Sequence, residues 1–297
     1  METVIIGAGS DLGVHIDGSR LGPEQLLNDI KSFYNKETTL IKQDEDIIKS
    51  RNLSDRRKNE YEIDRFNSNI YNTILKCKKE KFFPIVIGGD STVSIPIALA
   101  SSKTYGDIGI IWFSAFTGYN TFETTTTGNI NDLALAAITG WKNQELRYYT
   151  DANVIQPIKT VIIGVRDIND WEKDNIKYSG TTVFTVQDIQ DKGLDAVIEE
   201  AFKIATNNTK GVHINFDLGI IDPESAPGVS IPKFNGITEE EAMNIINIIR
   251  KKIKDIVSFS LVEYNPLRDE NRKTEQTAIN ILARIINSAE NKNEFKN

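Results

Sequence analysis

The chain reads as an α/β protein: a single three-layer α/β/α domain with a mainly parallel sheet of about eight strands. Three observations predict this. Short, continuously apolar runs recur along the whole length, amphipathic stretches separate them, and no Pro/Gly/Ser linker or composition break divides the series. Strands joined by crossover helices lie parallel and are covered on both faces, so they need no polar alternation. The domain is expected over residues 1–290. The polar tail 291–297, "NKNEFKN", is expected to fray.

The strands follow in order. "TVIIGA" (3–8) is the first and "TTLIK" (38–42) a weaker second. "FPIVIG" (83–88), "DIGIIWF" (107–113), "KTVIIGV" (159–165), "TTVFTV" (181–186), "GVHINF" (211–216) and "DIVSFSLVEY" (255–264) complete the set. Most are bounded by Gly, Asp or Pro. Helical patterns lie between them. "PEQLLNDIKSF" opens with Pro23, suited to a first helical turn. Residues 56–81 form the longest pattern, followed by 194–207, 238–253 and 274–290. Thr238 and Glu241 form a capping box. The charged segment 43–58 reads as a surface excursion.

Composition narrows the function. The net charge of −7 and a pI near 5.1 argue against nucleic acid or an anionic membrane as partner. With one cysteine, Cys77, no internal disulfide forms, and a reducing, cytoplasmic setting is expected. Cys77 sits in a lysine-rich helical stretch with no histidine nearby and reads as an ordinary helix residue. No secretory signal opens the chain, and no run approaches the ~18 apolar residues that span a bilayer. "GGDS" (88–91) lacks the Lys-Ser/Thr of a phosphate loop and reads as a tight strand-to-helix turn. "GAGSDLG" (7–13) has the wrong spacing for a dinucleotide fingerprint. In such folds ligands bind at the carboxyl ends of the strands. The functional loops should therefore follow Gly88, Phe113, Val165, Phe216 and Tyr264.

Four of those loops form a set. "PIVIGGDSTVSIPIALA" (84–100), residues 108–140, "VHINFDLGIIDPESAPGVSIPKFNGIT" (212–238) and "SLVEYNP" (260–266) resemble the ureohydrolase family of arginase, agmatinase and formimidoylglutamase. The likeness to arginase is closest at Thr117, Asn120, Thr121, Thr124, Thr125, Thr126, Gly128 and Asn129, while "APGVSIP" (226–232) is more like formimidoylglutamase. The resemblance implies a hydroxide held between two manganese ions that attacks a guanidinium or imine carbon. Two hard dications need several oxygen and imidazole ligands converging on one point. At the six family ligand positions this chain carries Ser91, Ser114, Phe116, Gly118, Asp217 and Gly219, of which only Asp217 is a ligand type. The family's proton-transfer histidine corresponds to Asn131.

The resemblance therefore leads to an expected arginase-like pseudoenzyme: no catalytic residue, no manganese cofactor, and a regulatory or structural role. It implies a trimer or hexamer, or a hetero-oligomer with an active paralogue. The amino-acid shell fares better. Asn120, Thr127 and Asn129 stand where the family holds the substrate carboxylate, Asn169 near its amino group, and Glu263 near the guanidinium. A metal-independent binder of an arginine- or ornithine-type amino acid is the alternative. A third reading is an amidino hydrolase working by another mechanism through Asp217, Asp222 and Glu263. Of the two histidines, His15 lies in an N-terminal loop. His213 shares a strand face with Asn215 and Asp217 and is expected to be structural.

Overall fold

The computed structural model describes residues 2–47, 49, 50, 52, 55–79, 82–143, 146, 147 and 149–291. The expected frayed tail, Asn291 apart, lies outside them. Among the described residues the eight strands are β1 (Glu2–Gly9), β2 (Thr38–Lys42), β3 (Phe82–Gly88), β4 (Gly109–Phe113), β5 (Thr160–Val165), β6 (Thr182–Thr185), β7 (Val212–Asp217) and β8 (Ile256–Val262). They form one sheet in the order β2-β1-β3-β8-β7-β4-β5-β6, and every pairing is parallel.

Successive strand residues feed opposite layers, because side chains alternate across a strand. Ile5, Ile85, Ile87, Ile111 and Phe113 pack with α1 (Gly22–Ile30), α7 (Leu194–Ala205), α8 (Glu239–Lys251) and α9 (Lys273–Glu290). Ile6, Val86, Ile110 and Trp112 pack with α2 (Glu60–Lys79), α3 (Ser94–Tyr105) and α4 (Ala134–Thr139).

The amphipathic helices and all eight strands lie where the sequence pattern places them. Four helices carried no periodic signal. Helix α3 is buried from Ser94 to Ser102, so apolar and small residues occur all round it. Helix α4 is six residues long and wholly buried. Helix α5 (Asp170–Ser179) is mostly polar and is started by an Asn169–Glu172 capping box. Helix α6 (Val186–Lys192) follows β6 directly. A Thr185–Asp188 capping box ends the strand one residue before the expected boundary.

The segment 43–58 is not a free surface excursion. The Lys49 side chain is 6% exposed and its ammonium bonds the carbonyls of Asp11 (2.8 Å) and Val14 (3.2 Å). It also pairs with the carboxylates of Asp11 (3.2 Å) and Asp17 (2.9 Å). The Asn59 amide donates to the Leu12 carbonyl at 2.8 Å. The segment is strapped onto the loop after β1. Among the described residues no helix is long and apolar enough to cross a membrane.

The strand order places β3, β8, β7 and β4 side by side at the centre of the sheet. The strands stay parallel, but the connection from β4 runs to β5 on one side and that from β7 to β8 on the other, so the loops at their carboxyl ends part where a ligand crevice forms in such sheets.

Candidate functional site

The loop after β3 is set by close backbone approach. A Cβ on Gly89 would stand 1.8 Å from the Ser10 carbonyl oxygen, so only glycine fits. Asp90 then caps the turn into α3, accepting from Thr92 N (2.8 Å) and from Gly13 N (2.9 Å) across to the β1 loop. "GGDS" is thus the tight strand-to-helix turn expected of it. It delivers Ser91 to the end of the sheet.

Glu263 arrives from the end of β8 at φ +73, an uncommon conformation for a side-chain-bearing residue. Its own N–H donates to the Gly89 carbonyl at 2.7 Å. Its carboxyl accepts from Ser91 N (2.8 Å) and Ser91 Oγ (2.9 Å). Burial first, then the neighbouring Asp217 and Asp90, hold this carboxyl well above the usual carboxylate range.

Asp217 closes β7. Ser114 Oγ, from the end of β4, donates to its Oδ2 at 2.6 Å, and Gly219 N donates to Oδ1 at 2.7 Å. Burial pushes its pKa up to about 6, against the pull of those two bonds and of Arg166. Asp132, after the threonine-rich loop, accepts from Thr127 Oγ1 at 3.0 Å. Burial raises it to about 7. The Thr127 bond opposes this, and Glu172 and Asp167 add to it.

These groups converge. Ser91, Ser114, Phe116, Gly118, Asp217 and Gly219 all line one cavity, joined by Asp132 and Glu263. The cavity holds about 20 Å³, room for about one water, so a larger ligand requires its walls to move.

The remaining predicted residues stand outside that lining. Asn169 caps α5, and its amide donates to Asn120 Oδ1 at 3.3 Å. Asn129 Nδ2 lies 2.9 Å from His15 Nδ1. Asp222 accepts from Glu224 N and Gly236 N, tying its own loop, and is not at the cavity. His213 is fully buried, with Nδ1 2.9 Å from Ser258 Oγ, as a structural histidine should be. Asp132 was missed as an acid of this site. Its signal was visible in the sequence: an aspartate where the family's Gly-Asn-x-His-Gly run ends in glycine. Asn131 and Asn129 each keep a side-chain oxygen with no partner among the described residues.

The donor set is tested against two manganese ions by its chemistry. Among the described residues no group of three or more His, Cys, Asp or Glu could hold a metal ion. Asp217 is the one carboxylate on the six positions, and Phe116, Gly118 and Gly219 offer no side-chain donor. The residues present do not fit a dinuclear manganese centre.

A family model described as the Arginase family matches residues 1–287. The arginase of Bacillus subtilis (strain 168) is 34% identical over 239 residues, 77% of this chain and 79% of that protein. The solved arginase of Bacillus caldovelox superposes with a TM-score of 0.85 at 27% identity, covering 96% of this chain and 98% of that one. An Entamoeba histolytica arginase superposes with a TM-score of 0.87 at 24% identity, a likeness of fold.

These findings overturn two expectations. The catalytically inactive pseudoenzyme is corrected: the relatives are arginases at about a third identity across most of the chain, which favours an arginase-type enzyme. The expected absence of manganese is corrected on the same ground: the relatives are arginases, and the family match lends that absence no support. Both expectations rested on counting ligand types at six positions, whereas the match extends over the whole fold. The misfit of those six positions to the metal pair stands beside the family match as a separate fact.

Proposed function

Because the chain belongs to the Arginase family, we propose that it is an arginase-type hydrolase acting on a small guanidino or amidino compound in the cavity at the ends of β3, β4, β7 and β8. The observation that carries this reading is the convergence of three carboxyl groups, those of Asp132, Asp217 and Glu263, on a cavity whose other lining residues are uncharged. A planar cation with several N–H donors matches that lining. An entering guanidinium would favour the charged form of Glu263 and let it release its proton where the substrate binds. Asp217, held by Ser114 and Gly219, is oriented to accept a hydrogen bond or a proton from the substrate or its attacking water. Val229 and Ile231 form an apolar wall of the cavity that limits water.

We place the far end of the substrate at the threonine-rich loop, with Asn120, Thr127, Asn129 and Asn169 as its polar contacts. Self-association is part of the same reading and rests on the family. Sedimentation that shows only monomer at micromolar concentration would remove it.

The test is release of urea or amine from a panel of arginine, agmatine and formimidoyl compounds, with and without added manganese. Turnover above blank that disappears in the Asp217→Asn variant supports the reading. No release from any compound under either condition overturns it.

A further inference from the structure

The cavity holds about one water, so a ligand enters it only past a wall that moves. Most of its walls are tied. Ser91 Oγ donates to Glu263, and Ser114 Oγ to Asp217. Val229 is buried, and its backbone is bridged to Tyr264. The backbone beyond Ile231 is clamped by Arg166, whose guanidinium donates to the carbonyls of Lys233 (2.8 Å), Phe234 (3.1 Å) and Gly219 (2.8 Å).

Phe116 differs. Its backbone is fixed: its N–H donates to Ser114 Oγ at 3.1 Å, and it forms a parallel bridge with Asp167. Its ring is not. A phenyl group makes no conventional hydrogen bond, and this one is half-buried, so it both lines the cavity and reaches solvent. The ring can turn about its side-chain torsions while the chain that carries it stays in place. A charged contact restrains it. Lys233 Nζ lies over the ring, 5.7 Å from its centroid, and pairs with the Asp167 carboxylate at 2.5 Å. That ion pair joins the loops after β5 and β7 and keeps the ammonium on the ring. The family resemblance places a ligating histidine at this position, so an aromatic closure there is a feature of this chain.

We propose that Phe116 is the gate of the cavity: its ring closes the way in, and Lys233, tethered to Asp167, is the latch that holds it shut, so that access is set by the swing of one aromatic side chain. The proposal goes beyond the hydrolase reading and does not depend on it, because it concerns entry to the cavity and not the chemistry inside.

Trp112 serves as the reporter. It lines the cavity from β4 and is 2% exposed. In a chain whose other two tryptophans, Trp141 and Trp171, are replaced by phenylalanine, acrylamide quenching of Trp112 fluorescence reads how readily a small neutral molecule gets in. The Lys233 side chain is 38% exposed and does not line the cavity, so Lys233→Ala should keep the fold. Loss of an exposed cation–π contact from the closed state predicts a quenching rate constant about two- to fivefold higher in Lys233→Ala. Lys233→Arg should stay near the parent value, since a guanidinium also pairs with a carboxylate and lies over a ring. Phe116→Ala should raise quenching further, and adding Lys233→Ala to it should change nothing more. A ring that is a fixed wall gives equal quenching in the parent and in Lys233→Ala, and that result overturns the proposal. So does a folded Phe116→Ala chain quenched no faster than the parent, or a Lys233→Ala effect that persists undiminished once the ring is gone.

Discussion

Replacing Asp132 by asparagine should stabilise the chain, by an amount that depends on pH. Asp132 has an ordinary carboxyl pKa of 3.8 when unfolded and about 7 in the fold, where burial penalises its charge and Glu172 and Asp167 repel it. Below pH 3.8 both states are protonated and no penalty exists. Between pH 3.8 and 7 the unfolded chain gives up this proton and the folded chain keeps it. Stability therefore falls as pH rises, at up to about 1.4 kcal/mol per pH unit. Above pH 7 the full cost is present, about 4 kcal/mol for the whole gap. Asparagine stays neutral, and its amide oxygen can still accept from Thr127 Oγ1. The Asp132→Asn variant should match the wild type near pH 4 and exceed it by up to ~4 kcal/mol at pH 8. That is a large share of a typical folding stability of about 5–15 kcal/mol. Urea unfolding at half-unit steps from pH 4.5 to 8.5 measures the difference. A gap that does not change with pH, or a variant less stable at pH 8, would refute the assignment of a half-buried, raised carboxyl.

Three further outcomes follow from single contacts. Glu263→Gln should keep the fold, since an amide oxygen can still accept from Ser91 N and Ser91 Oγ, while kcat/KM on a guanidino substrate falls about 100-fold; an active variant would remove Glu263 from the site. Gly89→Ala should fail to give soluble folded protein, because the new Cβ meets the Ser10 carbonyl at 1.8 Å and backbone cannot easily yield; a native circular dichroism spectrum would contradict this. Thr238→Ala removes the hydroxyl that accepts from Glu241 N at 3.1 Å at the start of α8, and should cost about 1 kcal/mol in urea unfolding without changing kinetics.

The elements that announced themselves share one property. Strands such as β3 and β7 are apolar on both faces and bounded by glycine or aspartate, and helices such as α8 bury a single stripe, so their period survives in the residue order. Helix α3 did not, because burial all round erases the period. The candidate site was half legible. Motif spacing brought Ser91, Ser114, Phe116, Gly118, Asp217 and Gly219 to one place, and the structure shows all six on one cavity. Asp132 went unread although it stands where the family's run ends in glycine, because a lone acid there shares no ligand spacing with the other positions.

By itself the residue order determined the strands, the order of the loops at their ends, and the chemical poverty of the six central positions, since each depends on local composition and spacing. Only the tertiary structure decided which groups meet. It set Glu263 against Ser91, 172 positions away, and Asp217 against Ser114, 103 away. It also buried Lys58 against the threonine loop, 69 positions on. Such contacts are made by neighbouring parallel strands and by a strap that folds back over their ends. The raised pKa of Glu263 follows from what those contacts exclude, which is water, and solvent exclusion is a property of the assembled fold.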